Sequence, residues 1–252
     1  MRLGSKFIKN ILAVVVFLSI GSSLAHAESY EDKDFLTPAS YVEFLNQQIE
    51  TGDTAAKEVL EKFMDLDAAS QEAFVKFLTS DQYGESLELS GINGDDVKKS
   101  YVIDGVVVPV TVENEAVVTA SENGNVSTLA NTRASASRST KLSVFGIEVS
   151  TLTLTVSWEH NGSVATKPLQ VSYAHANSNP AWIITEQSSN NPGYISEGYY
   201  YGSGTWRMSA TGTIGALSST LGLNIKASTP LHRYYNFTSS HPNMNNVPWT
   251  KF

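Results

Sequence analysis

The strictest alternation in the chain runs from Thr151 to Trp158, where Leu152, Leu154, Val156 and Trp158 take turns with Thr151, Thr153, Thr155 and Ser157. A period of two is the mark of a strand with one face buried and one wet. Asn161-Gly162 follows as a tight turn, and Val164 to Tyr173 reads as the returning partner strand. Ala181 to Thr185, Tyr199 to Ser209, Leu221 to Ile225 and His232 to Phe237 supply further strands between Gly, Pro and Asn clusters. Roughly five to seven strands at this spacing predict an antiparallel sandwich or barrel. All four tryptophans (Trp158, Trp182, Trp206 and Trp249) fall in this part, so its core is expected to be built on them.

Nearer the N-terminus the period changes. Thr37-Pro38 is a helix N-cap followed by proline at the first helical position, and Tyr41, Phe44, Leu45 and Ile49 then recur at helical spacing up to Gly52. Asp53 caps a second helix carrying Ala56, Val59, Leu60, Phe63 and Met64, and Asp67 a third carrying Ala73, Phe74, Phe77 and Leu78. Such short amphipathic helices need tertiary burial to persist, so their apolar stripes are read as core. Residues 80–100 read as polar, with Gly91 to Asp96 a turn lacking the ligand spacing and terminal glutamate of a calcium loop. The β-branched run from Tyr101 to Thr119 suggests two short strands. Ala120 to Thr140, rich in Ser, Asn, Ala and Thr, reads as a linker or exposed loop whose Arg133 and Arg138 are candidate protease sites. The fold class expected is α+β, with an N-terminal helical segment followed by a mainly antiparallel β-sandwich or barrel-like domain. Its parts are 1–27, 28–100, 101–140 and 141–252.

The first of these parts reads as a secretory signal peptide. Arg2, Lys6 and Lys9 form a positive start, Ile11 to Ile20 an apolar run, and Ala25-His26-Ala27 a small-residue exit that places cleavage after Ala27. The apolar run has ten residues, short of the roughly 20 that a spanning helix needs. Cysteine is absent, which excludes a disulfide framework, a thiolate metal site, a cysteine nucleophile and a lipidated cysteine. The last residues, Pro248 to Phe252, show neither a hydrophobic tail nor a sorting motif, so the expected destination is the extracellular medium.

Charge sharpens the division. Residues 28–100 hold 17 acidic and 6 basic side chains, 101–140 hold 4 and 2, and 141–252 hold 4 and 6. An acidic helical part thus precedes a near-neutral β part. The balance gives no basic patch for nucleic acid.

Catalytic chemistry is hard to find. His160, His175, His232 and His241 form no metal-binding spacing, Ser203 sits in no nucleophile elbow, and no phosphate loop or dinucleotide fingerprint occurs. Glu148, Glu159, Glu186 and Glu197 could include a hydrolytic carboxylate pair only if two of them face one cleft. No catalytic residue, cofactor or metal ligand is assigned, and the oligomeric state is left open. The candidate binding residues are Tyr199, Tyr200, Tyr201 and Trp206, because aromatics crowded beside glycines can pack on sugar rings or sit at a membrane interface. A second feature is the stretch from Met208 to Ile225, which has no charged residue; it is long enough for a membrane hairpin, but its alternation fails between Gly212 and Ser219.

The run Thr51 to Phe63, followed by Gln71 to Leu78, resembles the N-terminal helices of secreted proteins of Gram-positive bacteria. Gly146-Ile147 leading into Leu152 to Trp158, and the later Gly204-Thr205-Trp206, resemble the same group. Within it the chain is similar to large unmodified bacteriocins of the geobacillin type. That resemblance implies an antibacterial protein acting at the envelope or membrane of target cells, and transfers no catalytic residue. The function expected is therefore a secreted, non-enzymatic antibacterial protein, its acidic helical part shielding the β part until cleavage within Ala120 to Thr140. The alternative is an extracellular binding module for wall glycan or another polymer.

Overall fold

A computed structural model describes residues 36–89, 96–120, 131–211, 218–240 and 248–252. The expected signal peptide with Ala27, most of the Gly91 to Asp96 turn, and His241 lie outside the described residues. The helix caps are those the sequence marks. Thr37 forms a capping box with Ser40 at the start of α1 (Pro38–Glu50). Asp53 accepts from the Ala55 and Ala56 amides to open α2 (Thr54–Met64), and Asp67 from the Ser70 amide to open α3 (Ala68–Leu78). Gly52 takes φ +96° to leave α1, a conformation that favours glycine.

A fourth helix, α4 (Asp81–Leu89), occupies the segment expected to be merely polar. Its core-facing Tyr83 and Leu87 are one turn apart, and two apolar positions are too sparse to announce a helix. Tyr83 is fixed from the far side of the core, its hydroxyl bonded to the Ser150 hydroxyl and its ring 5.8 Å from Trp182.

The rest is antiparallel sheet. One sheet is a simple meander of β1 (Val97–Ile103), β2 (Val106–Ala120), β3 (Thr132–Val144), β4 (Ile147–His160) and β5 (Ala165–Asn177). The second runs in the order β11 (Thr250–Lys251), β10 (His232–Ser239), β9 (Ser218–Thr229), β8 (Tyr199–Ala210) and β6 (Trp182–Ser189), with β7 (Tyr194–Ser196) also paired to β8. No helix among the described residues is long and apolar enough to cross a membrane.

Residues 132–140, expected to be linker, are part of β3, the central strand of the first sheet. Composition misleads there because the inward residues Ala134 and Ala136 are small. They pair with Trp158 and Val156 of β4, and bulk on one strand compensates for its lack on the next. Ser135, Ser137 and Ser139 point outward, and two of them hydrogen-bond across to Thr155 and Thr153 at 2.9 Å.

The two sheets meet through β4, β5 and β8. Trp158 stacks on Tyr200 with centroids 5.8 Å apart, and Tyr173 meets Trp206 edge to face at 5.5 Å. Gly202 and Gly204 make this approach possible. A Cβ on Gly202 would lie 2.6 Å from Val156 Cγ1, and one on Gly204 2.9 Å from Tyr173 Cβ. Of the four tryptophans three are buried, while Trp249 is half-exposed and lies outside the core. The helices close the same core, with Phe77 packed on Tyr101 at 5.2 Å and the Asn179 side-chain amide donating to the Leu78 carbonyl at 3.0 Å. The described residues from Leu36 onward form one compact unit, so the segments divided at 100 and 140 share a single core.

Two outcomes are expected. Gly202→Ala forces a methyl into Val156 and should lower unfolding free energy by about 1–3 kcal/mol in urea denaturation. His160 is buried, its Nδ1 accepting from the Gly162 amide at 3.1 Å and its Nε2 without a partner, and burial holds its pKa below the ordinary histidine value. The unfolded chain then takes up this proton at higher pH than the folded one. Stability from this group is full above the unfolded value of about 6.5 and declines as pH falls towards the folded one. The urea midpoint should therefore drop between about pH 7 and 5, and drop less in His160→Asn.

Candidate functional site

The strand β8 divides the expected binding residues between its two faces. Tyr200 and Trp206 are 0% exposed and belong to the core, so neither can meet a ligand. The Tyr200 hydroxyl lies 3.2 Å from the Gln170 carbonyl and 3.1 Å from that of Pro192, and burial pushes its pKa above the ordinary phenol value. Tyr199 and Tyr201 point the other way, onto the outer face of the second sheet.

There the register assembles a row that no local segment contains. Tyr194 of β7 pairs with Tyr201 of β8, Tyr201 with Lys226 of β9, Lys226 with Tyr234 of β10, and Tyr234 with Lys251 of β11. Five strands thus place Tyr, Tyr, Lys, Tyr and Lys side by side, about 19 Å from end to end at ordinary strand spacing. The rings of Tyr194 and Tyr201 stack at 5.0 Å and within 7° of parallel. Trp249 meets Tyr201 edge to face at 6.2 Å, and Tyr199 meets Tyr234 at 6.4 Å. The Lys226 ammonium sits 4.2 Å from the Tyr199 centroid and 5.5 Å from that of Tyr201. Tyr194 is 54% and Trp249 38% exposed.

The charge around the row is one-sided. Outward positions on β8 and β9 (Tyr199, Tyr201, Ser203, Thr205, Arg207, Thr220, Asn224 and Lys226) include two cations and no carboxylate, and those on β10 (Tyr234, Asn236 and Thr238) are uncharged. On the first sheet, by contrast, Lys141 lies 2.9 Å from Glu115 and Lys167 3.8 Å from Glu159. In a chain of net charge −8, strands β8 to β11, which carry Arg207, Lys226 and Lys251 and no carboxylate side chain, are a local reversal.

The other candidates are dispersed. Arg138 is 4% exposed, its guanidinium 3.4 Å from the Tyr235 ring centroid between the sheets, and so cannot reach a protease active site in the folded protein. Arg133 is exposed but lies in β3, which is hydrogen-bonded into the sheet and paired there with Glu159. Cutting at either residue would sever the central strand, so it would not release the helices. Glu148 and Glu159 stand at opposite ends of β4, about 36 Å apart along the strand, and Glu186 lies 3.4 Å from His175. Among the described residues no group of three His, Asp or Glu could hold a metal ion. Residues 212–217 of the uncharged stretch lie outside the described residues, and its ends belong to β8 and β9.

Tyr194, Lys226, Tyr234, Trp249 and Lys251 escape sequence reasoning because only strand register makes them neighbours. Comparison with protein-family models, curated proteins and solved structures finds no match to this chain.

The split of β8 can be measured directly. Tyr200→Ala should cost about 3–5 kcal/mol in urea denaturation, as other large-to-small core changes do. Tyr201→Ala, one residue away, should cost less than about 1 kcal/mol.

Proposed function

We propose that this is an exported, non-enzymatic antibacterial protein that acts at the envelope of target bacteria, with the outer face of the second sheet as its contact surface. The row of Tyr194, Tyr201, Lys226, Tyr234 and Lys251 carries this reading. It joins aromatic bodies, hydroxyl tips and cations on a face where β8, β9, β10 and β11 carry no carboxylate side chain, and bacterial envelopes are anionic surfaces rich in sugar. The signal-like N-terminus and the resemblance to secreted bacteriocins support export and a bacterial target.

The exposed ring of Tyr194 at the sheet edge also favours a second reading, an extracellular module that binds envelope polymer without killing. Purified protein added to a panel of Gram-positive strains separates the two. Growth arrest with dye entry in some strains, lost in Tyr201→Ala/Lys226→Glu, is the expected result. Tight binding to purified walls with undiminished viability in every strain would leave the binding module standing instead.

A further inference from the structure

Resting on that reading, we propose that the five-strand row is a binding site for a phosphate-bearing sugar polymer. The row is periodic, and a repeating ligand is what a periodic surface suits. Lys226 and Lys251 are on alternate strands, about 10 Å apart, while Tyr201 and Tyr234 flank Lys226 on the neighbouring strands. A chain lying across the strands therefore meets cation and hydroxyl in alternation.

Each element has a matching function. The Lys226 ammonium is held over the Tyr199 and Tyr201 rings, which are neutral acceptors, so N–H donors remain for a phosphate. Tyrosine hydroxyls add donors beside it. Tyr194 has one ring face covered by Tyr201 and is more than half exposed, which leaves the opposite face to stack on a sugar ring. Away from the row the face continues as Ser203, Thr205, Asn224 and Asn236, with the Asn224 side-chain amide donating to Asn236 at 2.8 Å. That hydroxyl and amide surface suits a hydrated polymer and offers a bilayer little aliphatic area to bury. The net charge of −8 repels a polyanion from the rest of the molecule, so the face of β8 to β11 sets the docking orientation.

The test measures binding of the full exported chain to four probes: phosphorylated dextran, unmodified dextran, long-chain inorganic polyphosphate, and vesicles of phosphatidylglycerol with phosphatidylcholine. Phosphorylated dextran should bind most tightly and lose affinity with added salt. Lys226→Met/Lys251→Met should weaken it about tenfold, because two charge-assisted contacts go while the side-chain stems stay. Tyr194→Ala should weaken phosphorylated dextran and leave polyphosphate unchanged. Lys141→Met/Lys167→Met, on the first sheet, should change neither. Vesicle binding without polymer binding would overturn the proposal in favour of a lipid surface. So would equal affinity for polyphosphate and phosphorylated dextran, or an equal loss in the first-sheet variant. The urea midpoint of each variant shows that it is folded. A wild-type protein that kills but binds no phosphorylated polymer sinks this site alone, whereas one that binds the polymer and kills no strain sinks the antibacterial reading alone.

Discussion

The closeness of the two sheets at β8 is the constraint on which the rest of the structure depends. Gly202 and Gly204 lack the methyl groups that would strike Val156 and Tyr173, so β4 and β5 can settle directly onto the backbone of β8. Once that contact exists, the period of the strand leaves no freedom. Tyr200 and Trp206 must fill the interior, and Tyr199 and Tyr201 must face out. A slip of one residue would bury Tyr201 and Arg207 and expose Trp206. The row across the outer face is thus a consequence of core packing, and its geometry is as rigid as the sheet beneath it.

The remainder of the core follows from the same arrangement. Away from the glycines, the sheets accommodate a guanidinium: that of Arg138 of β3 sits over the ring of Tyr235 of β10, with the Phe252 ring at 5.9 Å. Planar and weakly hydrated, arginine suits such a position in a way lysine does not. The helices complete the burial through aromatic contacts on β1 and β6, from Phe77 to Tyr101 and from Tyr83 to Trp182. Tyr83 and Tyr41 are both buried with their hydroxyls bonded, and burial raises the pKa of each phenol, so both stay neutral donors over the physiological range.

Legibility in the sequence tracked how strongly each element expressed its own period. Thr37, Asp53 and Asp67 announce helices because a cap is a local hydrogen bond, and β4 announces itself through strict alternation of Leu, Val and Trp with Thr and Ser. The half of β3 made of Ser, Ala and Arg has the same period, but its inward residues are alanines and one arginine, so hydrophobicity carries no signal there. Its place in the sheet depends on Trp158 and Val156 beside it. The candidate face was half legible for a similar reason. The aromatic run of β8 stands out in the chain, whereas Lys226, Tyr234 and Lys251 become its neighbours only through pairing across three further strands.

The local reversal of charge has a further consequence for approach. The long-range field of a chain with net charge −8 opposes encounter with any polyanionic surface, yet screening confines that field to about 8–10 Å at ordinary ionic strength. Within that distance the outer face of the second sheet presents Arg207, Lys226 and Lys251 without a carboxylate on β8, β9 or β10. Attraction therefore acts only at short range and in one orientation, which slows association and sharpens selectivity relative to a uniformly cationic protein. A cationic peptide gains adhesion to every anionic surface. On the proposed reading, the sheet must be aligned before any ion contact forms, and the stacked tyrosines would then select the polymer beneath the charge.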